Sequence, residues 1–187
     1  KVLINLEALN IFKIKENSYV LDMSIDLPND INFNFPSKFG SDYCCIHPGS
    51  NENDKFKRIN KKYLVEIFKF IPDKTFIITG TEKEKQIAND IYKIAKNMGI
   101  NIYNACSKYN LIETSIIIKN SKFIIGGDSG MLHVANSLDI PTLAFFGPTS
   151  FDYTGPYGNS NYLLNSINCN CNHPFYRDTE CNCMEDF

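Results

Sequence analysis

The sequence predicts an α/β domain: a parallel sheet covered by helices on both faces. Three observations predict it. Short apolar runs rich in branched and aromatic residues alternate with stretches of helical periodicity from Tyr43 to Phe146. The runs are apolar at successive positions, as in strands buried on both faces. Polar or glycine-bearing turns follow the runs, where such sheets place their ligands.

The strands are expected at Tyr43–His47, Thr75–Thr79, Asn101–Tyr103, Phe123–Ile125 and Thr142–Phe146. A first helix, Lys61–Phe70, sets Leu64, Ile67, Phe68 and the following Ile71 on one stripe. A second, Glu82–Met98, does the same with Ile87, Ile91, Ile94 and Ala95, and Gly99 closes it as a C-cap. Leu111–Lys119 and Met131–Leu138 give the third and fourth, and Pro141 marks entry into the last strand. Residues 1–40 stand outside this alternation. Val2–Leu6 and Tyr19–Met23 read as strands, and Asp26–Ser41 as a polar, Pro-containing linker. The chain therefore divides into 1–40 and a main domain, 41–187.

The chain has 187 residues, 43% of them hydrophobic, enough for one substantial domain with a small appendage. With 19 Lys+Arg against 21 Asp+Glu, a broad basic surface for nucleic acid is not expected. The longest apolar runs are too short to cross a bilayer, and Lys1–Leu6 lacks the features of a secretory signal. A cytosolic location is expected, with peripheral membrane contact left open. Cys44, Cys45 and Cys106 sit in or beside apolar runs and read as reduced core residues. Cys169, Cys171, Cys181 and Cys183 form two Cys-x-Cys pairs near the C-terminus. Zinc thiolates, free thiols and a disulfide all remain open for them.

The strongest local signal is Gly126-Gly127-Asp128-Ser129-Gly130-Met131-Leu132-His133, between a strand and a helix. The free N–H groups and dipole of a helix N-terminus make an anion site. Gly130 lets backbone approach a phosphate, and Ser129 adds a hydroxyl donor. His133, four residues later, falls on the same side of the helix. Asp128 is placed to accept hydrogen bonds from sugar hydroxyls. The plainer alternative makes Ser129 or Asp128 a helix cap and the two glycines a turn. Three further loops lie at strand ends. His47-Pro48-Gly49-Ser50, followed by Lys55, Lys57 and Arg58, reads as a diphosphate loop or an ordinary turn. Thr79-Gly80-Thr81-Glu82 offers a carboxylate to a ribose or to a helix dipole. Phe146-Gly147-Pro148-Thr149 closes the last strand.

In order and spacing these motifs resemble glycosyltransferase family 9, the lipopolysaccharide heptosyltransferases. The match consists of His47-Pro48-Gly49, Gly80-Thr81-Glu82, Asp128-Ser129-Gly130-Met131-Leu132-His133, Pro141 and Phe146-Gly147-Pro148-Thr149. The resemblance implies a GT-B architecture of two Rossmann-like domains, this chain supplying the C-terminal, donor-binding half. It implies that Ser50 and a lysine hold the diphosphate from one side, and Ser129, Gly130 and His133 from the other. Lys57 fits the family pattern best, although Ile59 replaces its Trp, and Lys55 is a rival. Asp128 would contact the donor sugar, Glu82 the nucleoside and Tyr109 the base. Residues 1–40 lack the family's glycine-rich loop and catalytic aspartate. They resemble the tail of the acceptor domain plus linker, so this chain is expected to bind donor more readily than to turn it over. The implied reaction is metal-independent, inverting transfer from ADP-heptose to a lipid-linked oligosaccharide acceptor, with Asp128 and His133 acting on the donor side. Other readings are a different GT-B transferase, a sugar-nucleotide epimerase, or a non-catalytic nucleotide-binding module.

Overall fold

The computed structural model describes residues 26–28, 33, 35, 39–40, 42–49, 56–156, 161–166, 183–185 and 187. Six strands form one sheet: β1 (Tyr43–His47), β2 (Thr75–Ile78), β3 (Ile102–Asn104), β4 (Ile124–Gly127), β5 (Thr142–Phe146) and β6 (Asn161–Asn165). Their order is β3-β2-β1-β4-β5-β6, and every neighbouring pair is parallel. This is the doubly wound Rossmann order, whose direction reverses between β1 and β4. Crossovers run through α1 (Lys61–Phe70), α2 (Lys85–Asn97), α3 (Leu111–Lys119) and α4 (Gly130–Ser137). The four-residue α5 (Phe151–Thr154) precedes β6.

Alternation along each strand feeds two cores, one per face of the sheet. In β1, Cys44 and Ile46 join Leu64, Phe68, Phe76 and Ile91 under α1 and α2. Tyr43 and Cys45 join Ile117, Ile118, Leu132 and Ala135 under α3 and α4. Phe68 meets Phe76 edge-on at 4.9 Å. Helix ends follow local capping chemistry. Asn60 Oδ1 accepts from Lys62 N ahead of α1 at 3.0 Å, and Asn110 and Glu113 form a reciprocal capping box at α3.

The structure departs from the sequence-based expectation in four places. The helix expected over Glu82–Met98 begins as a 3₁₀ turn, Glu82–Glu84, because Thr81 and Glu84 close a capping box there. Gly126 and Gly127 are strand rather than turn residues, paired with Ala144 and Phe145. A Cβ on Gly127 would stand 2.0 Å from the Lys57 carbonyl oxygen, and one on Gly126 2.8 Å from that of His47. Glycine is required there by backbone approach. The stretch read as a polar linker carries Phe33, Phe35 and Phe39, which pack onto the second core. Finally, α5 and β6 had no clear local signal. β6 is an edge strand whose Asn161 accepts from Thr142 Oγ1 at 2.6 Å.

The strands expected at Val2–Leu6 and Tyr19–Met23 lie outside the described residues. Among the described residues no helix is long and apolar enough to cross a membrane.

Candidate functional site

The site lies at the carboxyl ends of β1 and β4, where the strand order reverses. His47 at the end of β1 is in register with Gly126 of β4. β1 continues into Pro48–Gly49, and β4 into Asp128, Ser129 and α4. A crevice opens at such a reversal because flanking loops diverge to opposite faces of the sheet.

Ser129 occupies the N-cap position of α4 with extended backbone, yet its side chain makes no capping bond. Its hydroxyl is buried and has no partner among the described residues. The first turn of α4 contains no acidic residue, so its amide groups lack a side-chain acceptor within their own helix. A Cβ on Gly130 would meet nothing within 4 Å, which leaves open space before the helix terminus. A hydroxyl without a partner among the described residues, a helix N-terminus with its dipole and room above it are the components of an anion site. His133 lies one turn further along α4 and is exposed.

Asp128 is buried and gathers donors from the loop after β1 and from the connection after β5. Its Oδ2 accepts from Lys57 Nζ at 2.9 Å, Thr149 Oγ1 at 2.8 Å and Thr154 Oγ1 at 3.4 Å. Oδ1 has no donor among the described residues. Lys57 reaches this position because the backbone around it lies against Gly127.

The β2 loop carries two carboxylates in different settings. Glu82 is exposed, accepting from Lys85 Nζ at 2.7 Å and Ser107 Oγ at 2.7 Å. Lys85, then Ser107, hold its carboxyl below the usual range. Glu84 is buried, and its Oε2 accepts from Thr81 N and Oγ1 at 2.7 and 2.6 Å. Its Cγ lies 2.0 Å from where a Gly49 Cβ would stand, so it packs directly against the His47-Pro48-Gly49 turn. His47 is buried with Nδ1 3.2 Å from Thr79 Oγ1. Burial pushes its pKa down to about 4 despite the opposing charge of Glu84, so the ring is neutral.

The loop after β3 is tied to the β2 loop: Ser107 N donates to Gly80 O at 2.9 Å, and Cys106 Sγ to Thr81 O at 3.0 Å. This holds Tyr109 beside that loop. Tyr109 is half-buried, edge-on to Phe33 at 5.4 Å and to Phe35 at 5.9 Å. Burial and the neighbouring Tyr103 push its hydroxyl pKa up to about 12.

Of the residues singled out from sequence, Lys57, Asp128, Ser129, Gly130 and His133 gather at the end of β4. Glu82 and Tyr109 lie on the two loops beyond β1, and Ser50 and Lys55 fall outside the described residues. Thr149, Thr154 and Glu84 were not singled out. The Phe146-Gly147-Pro148-Thr149 motif contained Thr149, and the Thr-x-x-Glu spacing of a capping box pointed to Glu84. Nothing local marked Thr154. Cys183 is disulfide-bonded, while Cys169, Cys171 and Cys181 lie outside the described residues. Cys44, Cys45 and Cys106 are buried free thiols, as expected. No cluster of His, Cys, Asp or Glu among the described residues is placed to hold a metal ion.

The chain is 30% identical over 151 residues to a lipooligosaccharide heptosyltransferase 2 of Campylobacter jejuni, covering 79% of this chain and 48% of the relative. It is 35% identical over 107 residues to a lipopolysaccharide heptosyltransferase 1 of Campylobacter coli, covering 56% and 31%. The chain thus spans about half the length of the first of these relatives. The fold is shared with E. coli ADP-heptose lps heptosyltransferase II: TM-score 0.60, 24% identity, 71% of this chain and 40% of that one. An E. coli heptosyltransferase structure with ADP gives 0.58 at 20% identity, with the same coverage. Residues 12–184 match glycosyltransferase family 9 (heptosyltransferase), and the chain belongs to that family.

Proposed function

We propose that this chain forms the nucleotide-sugar-binding part of a glycosyltransferase that moves heptose from ADP-heptose to a lipopolysaccharide core acceptor. The observation that carries this reading is the Ser129 hydroxyl, buried with no partner among the described residues at the N-terminus of α4, next in sequence to the Asp128 that pairs with Lys57. In the proposed complex the diphosphate lies on the amides of α4, with Ser129 and Gly130 below it and His133 at its side. Lys57 turns from Asp128 to the phosphates, and Ser50 closes the cradle from the β1 loop. Asp128 Oδ1 accepts from a hydroxyl of the donor sugar. Glu82 is the exposed carboxylate offered to the ribose, and Tyr109 lies on the neighbouring loop offered to the base.

The chemistry follows from this placement. An acceptor hydroxyl attacks the anomeric carbon, its proton passing to a base outside the residues assigned here. The bond from that carbon to the diphosphate oxygen breaks, and the diphosphate leaves with the electron pair. Charge growing on the departing oxygen is met by Lys57, His133, Ser129 and the positive end of α4, already oriented before reaction. Protein cations and amide dipoles fill the part a metal ion plays elsewhere. The acceptor is lipid-linked in this proposal, which places the reaction at the inner face of the inner membrane.

Calorimetric titration with ADP, UDP, GDP and CMP tests the site. ADP is expected to bind most tightly, and His133→Ala to weaken it by about tenfold, the scale of one charge-assisted hydrogen bond. Equal affinity in wild type and variant, or no binding of any nucleoside diphosphate, would remove the basis for this reading.

A further inference from the structure

Residues 183–185 and 187 are far in sequence from the loops that hold Asp128, yet they touch the structure beside two of them. On one side they meet the N-terminus of α1, which ends the loop carrying Lys57. Asn60 Nδ2 donates to Glu185 Oε2 at 2.5 Å, while its Oδ1 caps α1. Lys62 Nζ and Tyr63 OH both donate to the Glu185 carbonyl oxygen, the latter at 2.6 Å. The same Tyr63 oxygen accepts from Phe187 N at 2.8 Å. The Phe187 ring stands edge-on to Tyr63 and Phe145, 5.2 Å from each. α1 begins Lys61-Lys62 with no acidic residue in its first turn, the reverse of what a helix dipole favours. Glu185 supplies the missing carboxylate from the far end of the chain.

On the other side Met184 and Cys183 lie over Gly147. A Cβ there would stand 2.8 Å from Met184 Sδ and 3.2 Å from Cys183 Cβ. Gly147 opens the loop whose Thr149 holds Asp128. The same few residues therefore brace the loop that delivers Lys57 and the loop that delivers Thr149.

We infer that residues 183–185 and 187 form a clasp that sets the Lys57–Asp128 pair, with Tyr63 and Phe187 as its positioning residues. Its catalytic consequence rests on the donor-site reading above, but the geometry does not. Tyr63 is the junction: its hydroxyl ties the clasp to α1 at two points, and its ring seats Phe187. Without that hydroxyl, Lys57 is held less closely to Asp128 while the fold stands.

The test is acetylation of the full chain by acetic anhydride, followed at each lysine by peptide mass spectrometry. Lys85, paired with Glu82 on the β2 loop, serves as internal control. Tyr63→Phe and Phe187→Ala should each raise the Lys57 rate relative to Lys85 by about threefold, the scale of one weakened ion pair. An unchanged ratio in Tyr63→Phe, or a general rise that leaves it unchanged, overturns the clasp. Where ADP binds, any effect of Tyr63→Phe on its affinity should shrink or vanish in a Lys57→Met background, since both act through Lys57; an effect of the same size in both backgrounds would also overturn the clasp. Should wild-type protein fail to bind ADP, the donor reading falls, and the labelling ratio still decides the clasp.

Discussion

Lys57 and Asp128 stand 71 residues apart in sequence and 2.9 Å apart in space, joined at the end of β4 with little exposure on either side chain. The cation proposed for the diphosphate is thus held by the carboxylate proposed for the sugar. The arrangement keeps Lys57 aimed at the crevice and makes Asp128 its competitor for phosphate. Lys57→Met should weaken ADP binding by about 10- to 100-fold, as loss of a hydrogen bond to a charged group implies. Asp128→Asn should leave ADP affinity within about threefold of wild type or tighten it, since only a partly screened pair is lost. A nucleotide sugar should suffer in Asp128→Asn where ADP does not. Calorimetry with both ligands reads the contrast.

Ser129 separates a ligand role from a capping role. A capping serine loses about 1 kcal/mol of stability on replacement by alanine. The Ser129 hydroxyl makes no capping bond and is buried with no partner among the described residues. Ser129→Ala should therefore leave thermal stability unchanged or slightly raised, while ADP affinity falls by about five- to tenfold. A drop in stability with intact ADP binding would return Ser129 to the helix-cap role.

Gly127 tests the packing that delivers Lys57. A methyl group there would lie 2.0 Å from the Lys57 carbonyl oxygen, a backbone atom with no flexible end to swing aside. Gly127→Ala should destabilise the domain by about 1–3 kcal/mol, the range for overpacking, and weaken ADP binding as well. Gly130→Ala, with nothing within 4 Å, should fold normally and lose affinity alone. Denaturant unfolding alongside titration distinguishes the two.

His47 predicts a pH dependence of stability. Its folded pKa is about 4, lowered from 6.5 by burial. The unfolded chain therefore binds a proton that the folded chain refuses between pH 6.5 and pH 4. Stability from this group is fully present above pH 6.5 and declines as pH falls towards 4, by on the order of 3 kcal/mol. In His47→Asn, whose amide can also donate to Thr79, this part of the slope should vanish. The difference between the two unfolding profiles isolates the histidine from carboxylates that titrate in both.

The strands and helices were legible because their causes are local. Apolar runs and 3.6-residue periodicity placed β1, α1, α3 and β5 at their observed limits. The pattern ending in Asp128-Ser129-Gly130 marked the mouth of the site for the same reason: a helix N-terminus is written in the residues that begin it. Shape and partnership were not legible. Periodicity states which face of an element is buried but not which distant element buries it. The strand order, with its reversal between β1 and β4, therefore emerged only in the folded sheet. Gly126 and Gly127 looked like a turn because the backbone that crowds them comes from β1 and the Lys57 loop. Asp128 could be named from sequence, but its tie to Lys57 and Thr149 joins loops after three different strands. The contacts of Glu185 and Phe187 with α1 cross more than 120 residues. The sequence by itself determined the elements and the kind of site they carry. Tertiary packing decided which side chains meet there, because pairing among distant segments is set by shared burial rather than by neighbours along the chain.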